Sequence, residues 1–212
     1  MDNSYTPPGV SSTLDRVHWD HIFEDLEGQL AAEWEAERAV LDGESERLRI
    51  AKLGLRTRLR TLQLRERVIT LRLCDGARRS VQLRAVGADW LATQTAESPS
   101  TLIVPLASVT SIETDHGSLL DALEDSAIPP DSLRERMSLG FVLRDLGRRR
   151  ISLRIALRDG EMLHGTVDRA GVDHLDLAVH DAGEARRAGA VRAFRMIPFD
   201  ALVWLQPSSA VI

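Results

Sequence analysis

The sequence predicts an α+β protein in which a long N-terminal helical segment precedes two small, antiparallel, five-stranded β-barrels in tandem. One observation behind this prediction is an internal repeat. An Asp-Gly turn, a glycine eleven residues after it and a later proline occur twice, at Gly76, Gly87 and Pro105 and at Gly160, Gly171 and Pro198. A second observation is the spacing of apolar residues, which is helical up to residue 66 and alternates from residue 67 onward. The repeated residues are turn formers and core positions, so they indicate architecture rather than chemistry.

An N-terminal tail over residues 1–13 and a helical segment over residues 14–66 form the first predicted region. Ser, Thr, Pro and Gly dominate the tail, a composition typical of disorder. Gly43 and Gly54 weaken the helix by about 1 kcal/mol each relative to Ala, so we expect it to pack against the barrels or a partner helix. Its apolar residues recur at seven-residue steps, at Trp34, Leu41, Leu48, Leu55 and Leu62.

Charge is unevenly distributed along this helical segment. Nearly all charged side chains between Asp15 and Glu46 are acidic, and nearly all of those between Arg47 and Arg67 are basic, within a chain whose formal net charge is −5. Two interpretations remain open. A basic stripe binds nucleic acid phosphates in some proteins, and it can equally be a solvated helix face or pair with an acidic half in a dimer.

The first predicted barrel occupies residues 67–116. Glycine in the Asp75-Gly76 turn supplies the positive φ that a tight hairpin needs. Five short strands in roughly fifty residues are typical of a small, strongly bent barrel. We expect these strands at residues 68–73, 81–83, 90–94, 101–106 and 109–112.

A linker over residues 117–131 leads to residues 132–207, which contain a connecting helix and the second barrel. Two consecutive prolines interrupt the linker, and Ser132 with Glu135 predicts a capping box at the start of the connecting helix. The apolar positions of this helix are Met137, Val142, Leu143 and Leu146.

Several functional classes have no support in the sequence. No apolar run approaches the roughly 20 residues needed to cross a bilayer, and the N-terminus lacks the features of a signal peptide, so we expect a cytoplasmic protein. Cys74 is the only cysteine, so we expect neither a disulfide nor structural zinc. No phosphate-binding loop or nucleophile elbow is present, so we expect no enzyme and no cofactor. His174, Asp176, His180 and Asp181 carry side chains that could bind a metal ion. Two such ligands at alternate positions of a strand do not specify a metal site, so we expect none here.

The order of motifs resembles the Sm-like fold, a member of the group of small SH3-like barrels. The resemblance rests on a short helix, a strand, an Asp-Gly turn, a bent strand, a Gly-x-Asp turn and a final Pro-containing strand pair, and it covers Arg56 to Thr114 and Arg134 to Gln206. The tandem layout also resembles that of uncharacterised actinobacterial proteins. The resemblance implies binding of single-stranded RNA near Asp89 and Asp173, and assembly into rings. The Asn that normally follows in the RNA-contacting loop is absent from both copies.

These observations lead to two functional hypotheses. In the first, the chain is a non-catalytic interaction or adaptor protein that binds an unidentified protein partner, or a second copy of itself through the N-terminal helix. Alternation along the third strand points Trp90 away from the core if Leu91 faces it, so the long helix covers Trp90 or a partner does. The partner-binding candidates are Trp90, Trp204, Trp34 and Leu41. In the alternative hypothesis, an RNA- or DNA-binding regulator contacts phosphates through Arg56, Arg58, Arg60, Arg148, Arg149 and Arg150.

Overall fold

The computed structural model describes residues 12–95, 98–124, 133–182 and 189–208 of an α+β protein. The chain divides into two compact units, one ending at Lys52 and one beginning at Leu53. The predicted tail, apart from Ser12 and Thr13, lies outside the described residues.

The first unit contains one long helix, α1 (Ser12–Lys52), of 41 residues. The predicted helical segment over residues 14–66 does not continue unbroken, because Gly54 adopts extended backbone angles of φ −72° and ψ 149° at the start of a new helix, α2 (Leu55–Leu64). The seven-residue apolar series is therefore divided between the two helices. Although α1 is long, neither it nor any other described helix has the apolar character that crossing a membrane requires.

The second unit is built around an antiparallel sheet of ten strands. The first five strands are β1 (Val68–Leu73), β2 (Arg78–Val86), β3 (Trp90–Thr95), β4 (Ser98–Pro105) and β5 (Val109–Glu113). The second five are β6 (Ser152–Leu157), β7 (Met162–Ala170), β8 (His174–Val179), β9 (Ala193–Pro198) and β10 (Leu202–Pro207). Their order across the sheet is β5-β1-β2-β3-β4-β10-β6-β7-β8-β9.

The repeat is present in the strand order and in the turns. The five expected strands occur in each copy, but they form one continuous sheet with β5 and β9 at its two ends, and the sheet does not close into a barrel. Gly76 and Gly160 have φ values of +82° and +87°, which confirms the positive φ predicted for the Asp-Gly turn. In both turns the aspartate Oδ1 accepts a hydrogen bond of 2.9 Å from the backbone N–H two residues later.

Two apolar cores lie against the sheet, and each takes residues from both copies. Leu91 on β3 belongs to the core with most of the first copy, whereas its neighbours Trp90 and Ala92 belong to the core with most of the second copy. Strand β3 is therefore buried on both faces. Ile103 on β4 joins the second core, and Val203 on β10 joins the first, so the junction of β4 with β10 ties the two copies into one folded unit.

In its described part, the connecting segment contains three helices, α3 (His116–Asp121), α4 (Leu133–Arg136) and α5 (Leu139–Arg148). The predicted linker thus begins within a helix, whose N-cap Asp115 accepts a hydrogen bond from the Ser118 N–H. The predicted connecting helix is divided into α4 and α5, because Met137 lies between the two helices and Ser138 caps α5. The predicted capping box falls on Ser132, which lies outside the described residues.

Candidate partner-binding surfaces

Trp90 is buried, with 2% of its surface exposed, so it is not an exposed anchor in this structure. Its indole lies over Gly87, where an added Cβ would be 2.2 Å from Nε1. Nε1 donates a hydrogen bond of 2.9 Å to the Met137 carbonyl oxygen, and the ring shares a core with Leu139 and Leu143 of α5. The start of the connecting helix therefore covers the face of β3 that carries Trp90, for which the sequence did not predict the covering element.

Trp204 is also buried, at 5% exposure, and two arginines cover its ring. The Arg79 and Arg154 guanidinium carbons lie 5.2 Å and 5.6 Å from the ring centroid, which is within cation–π range. The expected role of Trp204 as an apolar anchor does not fit this burial. The arginines above it form a polar surface instead.

Trp34 and Leu41 are exposed on α1, at 65% and 64%. They extend a row of exposed apolar side chains that recur at four- and seven-residue steps, and such steps place residues on one stripe of a helix. The members of this stripe are Leu26, Leu30, Trp34, Leu41 and Leu48. Of the four aromatic and apolar candidates, these two remain available to a partner.

The end strands β5 and β9 can be compared with the paired inner strands β10 and β4 through the internal repeat. We call residues counterparts when they lie at the same distance from the Asp-Gly turn or from the later proline in each copy. Inside the chain β4 pairs with β10, and Ile103 faces Leu205 across this junction. Their counterparts are Met196 on β9 and Ile112 on β5, the two end strands. Ile103 is fully buried, whereas Met196 is 80% exposed.

An apolar groove of about 270 Å³ lies beside β5. In the second copy, Ile103 shares a core with Leu139, Leu143, Leu146, Leu202 and Leu205. The groove is lined by the counterparts of these five leucines, which are Leu55, Leu59, Leu62, Val109 and Ile112. Leu55 is 56% exposed although its counterpart Leu139 is 2% exposed. The groove thus occupies the position that Ile103 fills in the other copy.

Most of the six arginines of the nucleic-acid hypothesis are buried or bonded to neighbouring groups. Arg56 Nε donates to the Gly87 carbonyl oxygen at 2.9 Å, and Arg60 is buried. Arg148 and Arg149 both form salt bridges with Asp145, at 2.6 Å and 2.9 Å. The remaining two, Arg58 and Arg150, lie on α2 and directly after α5.

The histidines of the second copy are occupied by hydrogen bonds. His180 is buried, and its Nε2 is 2.9 Å from Thr166 Oγ1 while its Nδ1 is 3.0 Å from the Asp181 carbonyl oxygen. His174 Nδ1 is 2.8 Å from Asp173 Oδ1, and this contact lowers the pKa of Asp173. Within the described ranges, no group of three metal-ligating side chains comes together.

Sequence reasoning missed the exposed apolar pair on β9, Phe194 and Met196, which are 65% and 80% exposed. A comparison of the two copies identifies them, because Met196 occupies the place of the core residue Ile103. Sequence analysis also did not predict that Arg79 and Arg154 lie over the same Trp204 ring. These two arginines come from different copies of the repeat and are brought together where β4 joins β10.

Comparison with known proteins assigns no relative. No family model, curated protein or solved structure matches this chain.

Proposed function

We propose that this chain is a non-catalytic, cytoplasmic interaction protein built from two Sm-like units of five strands each, and that its first partner is a second molecule of the same chain. The end strand β9 of one molecule pairs with the end strand β5 of the next molecule. A second interaction surface is provided by the apolar stripe on α1. In this proposal, the role of the folded chain is to form assemblies and not to catalyse a reaction.

The relationship between Met196 and the groove beside β5 carries the proposal. Met196 is the exposed counterpart of a fully buried isoleucine, and the groove is lined by the counterparts of the leucines that surround that isoleucine. Inserting Met196 into the groove of a second molecule would reproduce between molecules the packing that surrounds Ile103 within one molecule. Burial of one large apolar side chain contributes about 1.5–3 kcal/mol.

The geometry of this contact determines the kind of assembly. Strand β9 of one molecule meets β5 of the other, which is a different surface, so a pair of molecules keeps one free β5 and one free β9. Such a head-to-tail contact repeats until a ring closes or a filament grows. Pairing also covers the unpaired backbone groups of both end strands, which are otherwise prone to unspecific strand addition.

A cysteine pair tests the contact directly. In a Cys74→Ser background, Met196→Cys and Ile112→Cys place one thiol on each end strand. Directly opposed residues of antiparallel strands have Cα atoms about 4.5–5.5 Å apart, which is within the range of about 4.4–6.8 Å for a disulfide. Mild oxidation should therefore produce a ladder of covalent oligomers in non-reducing electrophoresis.

The matched control moves one thiol to Met162, a methionine on β7 that is 42% exposed. After oxidation, Met162→Cys with Ile112→Cys should run as a single covalent chain in non-reducing electrophoresis. Light scattering after size exclusion gives an independent measurement, in which Met196→Asp should reduce the mass of the assembly and Met162→Asp should not. A monomeric wild-type chain, or equal cross-linking in the control, would contradict the proposal.

Charge complementarity favours a second copy as the occupant of the α1 stripe. Between Glu24 and Glu46 the helix is almost entirely acidic, whereas its end carries Arg47, Arg49 and Lys52. Antiparallel pairing of two α1 helices brings each basic end beside the acidic start of the other helix, and parallel pairing brings like charges together. The stripe therefore supports an antiparallel pair.

The nucleic-acid alternative predicts a different result in one experiment. The tagged chain is recovered from cytoplasm with and without RNase, and the nucleic-acid absorbance of the eluate is recorded. Self-assembly survives the nuclease and is insensitive to replacement of Arg148, Arg149 and Arg150 with Ala. Recovery of abundant RNA that disappears with the nuclease and with these replacements would favour the alternative, because phosphate contacts depend on cationic side chains.

A further inference from the structure

A second feature of the sheet is a cavity of about 230 Å³ at the junction of the two copies. Its lining combines cationic, hydroxyl and amide side chains above a buried tryptophan. The first copy contributes Arg79, Thr95 and Ser100, and the second contributes Arg154, Trp204 and Gln206. No carboxylate is among the described residues that line it.

The two arginines of this cavity differ from the arginines of the described surface that are neutralised by carboxylates. Residues such as Arg65, Arg78 and Arg195 form salt bridges with carboxylates. Among described residues, no carboxylate lies within salt-bridge distance of Arg79 or Arg154, and the buried Arg79 Nε has no hydrogen-bond partner. A buried donor that lacks a partner costs free energy that a bound acceptor recovers.

The tryptophan below holds both guanidinium groups in place. Arg79 and Arg154 lie over the same Trp204 ring, at 5.2 Å and 5.6 Å from its centroid. Two planar cationic forks fixed close together suit an oxyanion, because a guanidinium donates two parallel hydrogen bonds to carboxylate or phosphate oxygens. Gln206 Nε2 donates to Ser100 Oγ at 2.9 Å, which orients the hydroxyl of a residue that lines the cavity.

The counterpart positions of the repeat do not reproduce this arrangement. The counterparts of Arg79, Arg154 and Trp204 are Leu163, Thr70 and Ser111, so the corresponding positions of the other copy carry neither cation nor aromatic ring. The cluster therefore belongs to the junction between β4 and β10 and not to the duplicated unit.

We propose that this cavity binds the oxyanion group, phosphate or carboxylate, of a small molecule. The two guanidinium groups hold its oxygen atoms, and Thr95 and Ser100, which also line the cavity, offer hydroxyl groups to the ligand. The cavity volume suits a ligand of a few heavy atoms beyond the oxyanion, since pockets for larger ligands begin at about 300 Å³. This binding is separate from the proposed self-assembly.

Titration calorimetry of the full chain in a chloride buffer tests the proposal, with inorganic phosphate in one arm and citrate in the other. The arm that saturates identifies the oxyanion. Losing a hydrogen bond to a charged group should weaken binding about tenfold for Arg79→Gln or Arg154→Gln. Arg154→Lys keeps the charge but not the fork, and it should bind more weakly than wild type.

Two control variants keep the result interpretable. Arg169→Gln removes an exposed arginine of β7 outside the cavity and should bind like wild type. Met196→Asp should also bind like wild type, which separates this proposal from self-assembly. Thermal unfolding shows whether each variant is folded, and Arg154→Lys serves where a glutamine variant is not. Failure of both anions to bind up to roughly 10 mM, equal binding by the arginine variants, or retention of an RNA oligonucleotide without a response to either anion would overturn the proposal.

Discussion

The Trp90 indole donates its N–H to the Met137 main-chain carbonyl at 2.9 Å, and through this bond the third strand is attached to the start of the connecting helix. Two further bonds reinforce the attachment. The Ala88 N–H donates to the same carbonyl at 3.1 Å, and the Leu139 N–H donates to Asp89 Oδ1 at 2.7 Å. Asp89, the residue implicated in RNA contact by the resemblance, is therefore engaged at the N-terminus of α5.

Trp90→Phe should destabilise the fold without changing assembly. The substitution keeps an aromatic ring over Gly87 but leaves the Met137 carbonyl with one donor fewer, and a lost buried hydrogen bond costs about 1–3 kcal/mol. Urea unfolding followed by circular dichroism measures this loss. Trp34→Phe, on the exposed stripe of α1, should change the free energy of unfolding by no more than about 0.5 kcal/mol. Equal stability of the two variants would contradict a structural role for the indole N–H.

Gly165→Ala should destabilise the second copy. Gly165 on β7 pairs with Val179 on β8, and an added Cβ would lie 2.4 Å from the Ala178 carbonyl oxygen. Because that oxygen belongs to the backbone, the strands must move apart, and such overpacking costs about 1–3 kcal/mol. Gly189→Ala is the control, since no atom lies within 4 Å of its added Cβ. The melting temperatures of the two variants measure this effect. A Gly165→Ala chain as stable as the Gly189→Ala control would contradict the predicted overpacking.

Local signals in the sequence predicted the strands and turns well, because each depends on residues close together in the chain. The positive φ of Gly76 follows from the Asp-Gly dipeptide, and β1 was expected at the observed bounds. The junction of β4 with β10 could not be predicted, since no local pattern specifies which strand of one copy will pair with which strand of the other. The burial of Trp90 depends on that junction and on α5, so alternation along β3 could not predict which element covers it.

Acid should remove the stabilisation that Asp121 provides. Its carboxylate accepts hydrogen bonds from Arg65 at 2.8 Å and Arg67 at 2.5 Å, and these contacts, that of Arg67 first, lower the pKa of Asp121 in the folded protein. A lowered folded-state pKa means that the contribution is present above the unfolded pKa of about 3.9 and disappears as the pH falls through the folded value.

Asp121→Asn should therefore lower the melting temperature at pH 7 and have progressively less effect below about pH 4. Melting curves at pH 7, pH 5 and pH 3 measure this convergence. Asp200→Asn is the control, because Asp200 is exposed and forms no salt bridge with a described residue. A difference between wild type and Asp121→Asn that stays constant with pH would show that the ion pairs do not contribute.

Replacing Trp34 and Leu41 together with Ala should weaken pairing of α1. In a Met196→Asp background, which removes strand pairing, the remaining self-association reports on the helix alone. Loss of these two side chains should cost about 3 kcal/mol, roughly a hundredfold in the dimer Kd measured by sedimentation equilibrium. Ile50→Ala, on another face of the helix, should have little effect. Added salt should also weaken the dimer, because the acidic and basic ends of antiparallel helices attract each other, and a dimer that tightens with salt would contradict the antiparallel arrangement.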